Sequence, residues 1–213
     1  MYTNLFIPGF PKCGTTYILS HFANHQPLWK TIDGTQELQP SHLEELVQMK
    51  MPIDYYAMKQ PGIIKASEHN RRYYANILKH HCIGRILCVI CVRDFNEMIY
   101  SLYQHRKRSQ IELSEYSVFK DKIKKEYFEN LILKLQNFKR LFGSLKIISL
   151  STIEKYPLHE IFRFLELSNI MIPENPEPFK RTEYSMDEYA HDKELETLYA
   201  NFLKDFFVEE HMI

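Results

Sequence analysis

Apolar positions along the chain run uninterrupted in some short segments and follow a helical period in others, which predicts alternating strands and helices. The short apolar run Leu5 to Ile7 precedes helical spacing from Thr15 to His25. Ile86 to Val92 is apolar throughout, as is typical of a parallel strand covered on both faces. Further strands are expected at 63–65 and 145–150, and further helices at 41–47, 68–81, 95–108, 117–142, 157–167 and 187–207.

Strands that alternate with helices predict an α/β fold, with a parallel sheet built through right-handed crossovers. We expect residues 1–213 to form a single domain. Asp94 is in the position to cap the helix that follows it, and Gly143 is in the position to end the helix before it. In a sheet of this kind, ligands bind at the carboxyl edge of the strands.

The charge of the chain is balanced overall but differs between its two halves. The chain has 27 basic and 27 acidic residues, so no overall field favours nucleic acid or an anionic membrane. Residues 1–108 carry net charge +5 and residues 109–213 carry −5, which favours an anionic ligand in the first half. No apolar run reaches the roughly 18 residues of a membrane span, so a cytoplasmic protein is expected.

The cysteines predict core packing in a reducing compartment. Cys88 and Cys91 form a CxxC pair, but they stand inside the apolar run 86–92. Metal binding or redox chemistry is the alternative, and it would need a second pair of ligands that the spacing does not supply. We expect no metal site.

The first constellation of polar residues is the turn between the first strand and the first helix. It contains Pro11, Lys12, Cys13, Gly14, Thr15 and Thr16. A turn that leads into a helix directs several backbone N–H groups at one point, and it therefore favours an anion there. The pattern GxxxxGK[ST] is half met, because Gly9 and Gly14 have the required spacing and Thr15 stands where the lysine should be.

The second constellation is Arg93, at the end of the strand 86–92, and Ser101, eight residues later. About two helical turns separate them, so both side chains can point toward one side of the helix that starts after Asp94. An arginine and a hydroxyl at the carboxyl edge suit a second phosphate. An ion-paired or solvated arginine is the ordinary alternative.

On these residues the chain resembles the sulfotransferases that use 3′-phosphoadenosine 5′-phosphosulfate (PAPS). A loop PKxGTT stands here as Pro11-Lys-Cys-Gly-Thr-Thr16, and an arginine with a serine eight residues later stands as Arg93 and Ser101. Tyr100-Ser-Leu-Tyr-Gln-His105 is most similar to the heparan and other glycan-modifying branch. The resemblance implies a P-loop NTPase-like three-layer sandwich, in which a central parallel sheet is flanked by helices.

The resemblance also implies an activity and a cofactor. A sulfuryl group would pass from PAPS to a hydroxyl or amine of a small-molecule or carbohydrate acceptor, by in-line displacement that releases adenosine 3′,5′-bisphosphate. The loop 11–16 would hold the 5′-phosphosulfate, with Lys12 also neutralising the leaving phosphate. Arg93 and Ser101 would hold the 3′-phosphate, and Tyr17 would pack near the adenine or in the helix core.

Four further residues match the family's pattern less closely. Glu37, in Thr35-Gln-Glu-Leu-Gln39, resembles the catalytic base of the glycan branch, and Lys65 resembles a lysine that lines the cleft. Lys180 and Arg181 resemble a C-terminal basic loop over the 3′-phosphate, although the glycine between the family's lysine and arginine is absent. Solvated loop residues are the alternative for Glu37 and for the Lys180–Arg181 pair.

Two other functions fit parts of the sequence. A P-loop kinase of a small molecule would use the Gly9 to Gly14 spacing, with Asp94 as a ligand of magnesium. A non-catalytic nucleotide-binding module would keep the phosphate sites without a catalytic base. The absence of the GK[ST] sequence argues against the kinase.

Overall fold

The computed structural model describes residues 3–25, 30–31, 56–82, 84–167 and 191–206. Its centre is a parallel sheet of five strands in the order β2-β3-β1-β4-β5. The strands are β1 Thr3–Pro8, β2 Lys30–Thr31, β3 Tyr56–Gln60, β4 Arg85–Val92 and β5 Leu145–Ser149. The first strand of the chain is therefore the central one.

Eight α-helices lie within the described ranges. They are α1 Thr15–His25, α2 Glu68–His81, α3 Phe95–Arg108, α4 Tyr116–Ile123, α5 Leu131–Phe142, α6 Leu150–Lys155, α7 Leu158–Phe164 and α8 Lys193–Phe206. A 3₁₀ turn, Pro61–Lys65, follows β3, and a π-helical turn, Lys124–Phe128, follows α4.

The core lies on both faces of the sheet. Every residue of β4 except Arg85 is buried, and successive side chains of a strand point to opposite faces, so both faces of this strand are covered. Helix α1 packs against β2 and β3, whereas α5 packs against β4 and β5. This arrangement confirms the predicted P-loop NTPase-like three-layer sandwich with a central parallel sheet.

Local signals predicted several elements correctly. The helices expected at 15–25, 68–81 and 95–108 are α1, α2 and α3. Asp94 caps α3 as expected, because its Oδ1 accepts from the backbone N–H of Glu97 at 3.0 Å. Gly143 ends α5 in the left-handed conformation, with φ of +76°, and its N–H donates to the carbonyl of Lys139.

Two expected elements were wrong. The strand at 63–65 is part of the 3₁₀ turn, and the strand itself lies earlier, at 56–60. The long helix at 117–142 is interrupted by the π-helical turn and by Asn130, whose φ of +56° is left-handed. The Lys134 ammonium donates to the carbonyls of Glu126 and Tyr127, so it satisfies acceptors at this interruption.

Cys88 and Cys91 are fully buried, and burial raises the pKa of both thiols. Both thiols are unpaired, which fits the predicted core packing. Among the described residues, no helix is long and apolar enough to span a bilayer. The helix expected at 41–47 lies outside the described residues.

Candidate functional site

The loop between β1 and α1 is tied to β4 at its first residue. Gly9 pairs with Cys91 across the sheet and has a φ of +131°, which L-residues rarely adopt. A Cβ on Gly9 would lie 3.0 Å from Cγ2 of Ile90. Only glycine therefore allows the loop to begin this close to β4.

Left-handed residues shape the rest of the loop. Lys12 has a φ of +62° and Gly14 a φ of +80°. Alternation between right- and left-handed residues turns neighbouring N–H groups toward one concave side, which is a common backbone site for anions. Helix α1 starts at Thr15 directly after this turn and adds the positive end of its dipole.

Cys13 faces inward. Its side chain is 1% exposed, and its thiol lies 3.4 Å from the carbonyl oxygen of Pro11. Burial is the main cause that raises the pKa of this thiol, to about 12, so it is neutral at physiological pH. A ligand in the loop would meet the backbone amide of Cys13 and not its sulfur.

Arg93 connects the end of β4 to the loop. Its side chain is 8% exposed; Nη1 donates to the backbone carbonyl of Lys12 at 3.2 Å, and Nη2 donates to Oε2 of Glu97 at 2.7 Å. Its Nε is buried and has no hydrogen-bond partner among the described residues. The carbonyl contact is direct evidence that the two predicted constellations meet at one edge of the sheet.

Positive charge accumulates beside this contact. Burial lowers the pKa of Lys12, and so do the neighbouring Arg93 and Arg108. The positive charge of Lys12 is in turn the main cause that lowers the pKa of His105, followed by burial and by Arg106. These groups destabilise one another's charged forms, and a bound anion would relieve that repulsion.

Ser101 lies on the same helix as this charge and is 4% exposed. On α3, residues 97, 101, 105 and 108 follow helical spacing and share one face. Ser101 therefore stands between Glu97, the partner of Arg93, and His105, the neighbour of Lys12. Tyr17, at the start of α1, is partly buried and makes an edge-to-face contact with His21 at 4.4 Å between ring centroids.

The structure brings to the loop a lysine that the sequence patterns did not predict. Lys59 lies at the carboxyl end of β3, opposite Ile7 of β1, and it is 8% exposed. Its ammonium donates to Oγ1 of Thr16 at 2.8 Å. The available signal was Pro61, because a proline marks the end of a central strand and Lys59 stands just before that end.

Lys65, which the sequence predicted in the cleft, is the last residue of the 3₁₀ turn. Its ammonium lies 3.0 Å from Oε2 of Glu126, and the two side chains are 37% and 31% exposed. The lysine that donates to the segment 11–16 is thus Lys59. Glu37, Lys180 and Arg181 lie outside the described residues, so their roles stay predictions.

The arrangement as a whole is suited to an anionic ligand with two negative groups. One group fits the loop with Lys12, Thr15, Thr16 and Lys59, and the other fits Arg93, whose Nε has no partner among the residues described here. Within the same part of the chain, no cluster of His, Cys, Asp and Glu has the arrangement of a metal site.

Two solved structures share this fold. A sulfotransferase from Alicyclobacillus acidocaldarius has a TM-score of 0.59 and 15% identity, over 96% of this chain and 93% of that one. Mouse sulfotransferase SULT7A1 complexed with PAP has a TM-score of 0.55 and 12% identity, over 93% of this chain and 63% of that one. No family model and no curated protein matches the sequence. The likeness confirms the predicted sulfotransferase fold.

Proposed function

We propose that the protein is an enzyme, a sulfotransferase that moves a sulfuryl group from PAPS to a hydroxyl or amino group of a small-molecule or carbohydrate acceptor. The observation that carries the proposal is the position of Arg93. This nearly buried arginine contacts the loop between β1 and α1 through the Lys12 carbonyl, and its Nε has no hydrogen-bond partner among the described residues. The fold shared with sulfotransferases supports it.

The two sides of the site, the loop 11–16 and the Arg93–Ser101 side, bind different phosphates of PAPS in this proposal. The loop 11–16 holds the 5′-phosphosulfate through its backbone N–H groups, Lys12 and the two threonines. Arg93 and Ser101 hold the 3′-phosphate, together with Lys180 and Arg181, and Tyr17 lies toward the adenine. Arginine suits the 3′-phosphate because its planar fork of donors matches phosphate oxygens.

The chemistry requires charge and a base in defined places. PAPS supplies the sulfuryl group and leaves as adenosine 3′,5′-bisphosphate. Lys12 and Lys59 supply positive charge where the 5′-phosphate oxygen gains negative charge. Glu37 accepts the proton of the acceptor group. We assign to Lys59 the cleft position that the family resemblance implied for Lys65, since Lys59 donates to Thr16 and Lys65 pairs with Glu126.

Asp94, the candidate magnesium ligand of the kinase alternative, has a role in the fold. Asp94 Oδ1 accepts the N–H of Glu97 and caps α3. A carboxylate used as a helix cap is directed at the backbone of its own helix. The favoured function therefore needs no role for Asp94 beyond starting the helix that carries Ser101.

Calorimetric binding of adenosine 3′,5′-bisphosphate, compared with ADP in the presence and absence of magnesium, tests the proposal. We expect the bisphosphate to bind more tightly, without a need for magnesium. Arg93→Ala should weaken its binding by about 10- to 100-fold, the range for charge-assisted hydrogen bonds. The matched control is Arg85→Ala, because Arg85 lies at the opposite end of the same strand and pairs with Glu166 at 2.9 Å.

The outcomes separate the functions. Equal loss of affinity in Arg93→Ala and Arg85→Ala would remove the 3′-phosphate site from the proposal. A preference for ADP with magnesium would support the kinase, and a wild-type protein that binds the bisphosphate but transfers no sulfuryl group in a broad acceptor screen would support the non-catalytic module. In that screen, with labelled PAPS and sugars among the acceptors, Glu37→Ala should lose transfer and keep bisphosphate binding.

A further inference from the structure

We infer that Asn96 is a positioning residue for the 3′-phosphate site, because it fastens helix α8 to the first turn of α3 and so holds the segment that carries Arg93. The inference rests on the proposed function, since it assigns to Asn96 an effect on the affinity for one particular phosphate. Asn96 itself touches no ligand in this scheme.

The contact between the two helices is reciprocal. Nδ2 of Asn96 donates to the backbone carbonyl of Asp192 at 3.3 Å, and Oδ1 of Asn96 accepts from the backbone N–H of Asp192 at 3.1 Å. The Asn96 side chain is 1% exposed. An amide is the side chain that offers both a donor and an acceptor at this size, so no other residue of similar volume reproduces both bonds.

Asp192 is fixed from other directions too. Its Oδ1 accepts from the N–H groups of Glu194 and Leu195, which caps the start of α8. Its Oδ2 lies 3.1 Å from the ammonium groups of both Lys120 and Lys124. Asp192 is therefore held by α4 and by the π-helical turn as well as by Asn96, so its position is well constrained.

Aromatic contacts beside Asn96 also join α3 to α8. The ring of Phe95 lies 4.9 Å from that of Tyr199 and 5.7 Å from that of Phe202, both on α8. Burial is the first cause that raises the pKa of Tyr199, to about 12, and Asp94 and Cys13 are among the neighbours that add to it. Helix α8 thus packs directly behind the site.

The first turn of α3 connects the Asn96 contact to Arg93. Arg93 precedes the helix by two residues, and its guanidinium is held by Glu97, which belongs to that turn. Asn96 stands immediately before Glu97 and faces α8, whereas Glu97 faces the site. When Asn96 loses its bonds, the turn loses its attachment to α8, and the Glu97 contact that orients the guanidinium becomes less constrained.

The test compares two ligands that differ in one phosphate. Adenosine 3′,5′-bisphosphate uses both phosphate sites, whereas adenosine 5′-monophosphate uses only the loop. In Asn96→Ala we expect the affinity for the bisphosphate to fall by about tenfold, equivalent to one good hydrogen bond, with less than about a twofold change for the monophosphate. A loss of folded protein would weaken both ligands equally.

Asn137→Ala is the matched control. Asn137 is also a buried asparagine between two helices, for it accepts from Nε of Arg71 at 3.1 Å and donates to Glu68 at 3.3 Å. It belongs to α5, on an interface with α2 rather than with α8. We expect this variant to lower the free energy of unfolding and leave the ratio of the two affinities unchanged.

A milder variant keeps the test usable if Asn96→Ala folds poorly. Asn96→Ser keeps a neutral hydroxyl that can donate or accept one hydrogen bond but cannot make both bonds at once, so a smaller change in the same direction is expected. An unchanged affinity ratio in Asn96→Ser and Asn96→Ala, or the same change in Asn137→Ala, would overturn the inference. A wild-type protein that binds both ligands equally would instead refute the proposed function, and the inference with it.

Discussion

At the scale of single residues, the two lysines at 59 and 65 show what sequence patterns miss. The β-branched pair Ile63 and Ile64 suggested a strand there, whereas the strand is Tyr56–Gln60, which contains a lysine and a glutamine. Its register is set by pairing with β1, where Lys59 lies opposite Ile7. Local propensity carries no information about that pairing, so the lysine that reaches Thr16 was not predicted.

Substitution of each lysine by methionine tests which of Lys59 and Lys65 contributes to ligand binding. Lys59→Met should weaken binding of adenosine 3′,5′-bisphosphate by about tenfold or more, because it removes a nearly buried positive charge beside the loop. Lys65→Met breaks an ion pair that is about one-third exposed and should change stability by less than about 1 kcal/mol and binding very little. Titration calorimetry of both variants measures this, and the reverse order of effects would restore the position first predicted for Lys65.

At the scale of elements, the sequence predicted those whose causes are local. Helix α3 has an apolar face, an aspartate cap and basic residues in its last turn, and it was predicted with its observed bounds. The break in the expected helix 117–142 coincides with a tertiary contact. Phe10, at the start of the loop between β1 and α1, stacks on Phe128 with 5.6 Å between ring centroids, and this pairing lies outside any local window. Apolar periodicity alone continues through the break and does not indicate it.

The junction of β1 with the loop depends on Gly9. Gly9→Ala should lower the free energy of unfolding by about 1 to 3 kcal/mol, since it combines an unfavourable φ with a close contact to Ile90. Gly143→Ala is the matched control: its φ is also left-handed, but nothing lies within 4 Å of the added Cβ, so about 1 kcal/mol is expected. Urea unfolding of both variants measures the difference. Equal decreases in the free energy of unfolding would show that the Ile90 side chain moves to accommodate the added Cβ at little cost.

The attachment of α8 should depend on pH through Asp192. Burial raises the pKa of this carboxyl, but hydrogen bonds from Lys124 and Lys120 outweigh it and lower the pKa to about 2. The unfolded chain binds the proton more tightly, at a pKa of about 3.9, so the charged group stabilises the fold above about pH 4 and this contribution is lost as the pH falls through about 2.

Asp192→Asn isolates that charge, because asparagine keeps an oxygen that can cap the helix. The variant should be less stable than the wild type by about 1 to 2 kcal/mol near neutral pH, with the difference shrinking below about pH 4. Urea unfolding across this range is the measurement. A difference that stays constant down to about pH 2 would mean that the Lys120 and Lys124 pairs contribute nothing and that capping geometry is responsible.

At the scale of the whole molecule, the site is a property of the sheet edge rather than of any one motif. The order of strands places β3, β1 and β4 side by side, so their carboxyl ends bring Lys59, the loop 11–16 and Arg93 together. Two of these three contributions, the loop 11–16 and Arg93, could be predicted because their residues have recognisable spacing. The third follows from strand order, which depends on which strands pair.

A ligand that bridges these strands should stabilise the entire fold. At about 100 times its dissociation constant, adenosine 3′,5′-bisphosphate should add about 2.7 kcal/mol, which raises the melting temperature by about 5 to 10 °C in a domain of this size. The increase should be the same with and without magnesium, and Arg93→Ala should lose most of it at the same ligand concentration. Because the bisphosphate would join the loop after β1 to the end of β4, adenosine 5′-monophosphate at an equal concentration should give a smaller increase. Equal increases for the two nucleotides would mean that only the loop binds, and that the Arg93 end of the sheet contributes no phosphate site.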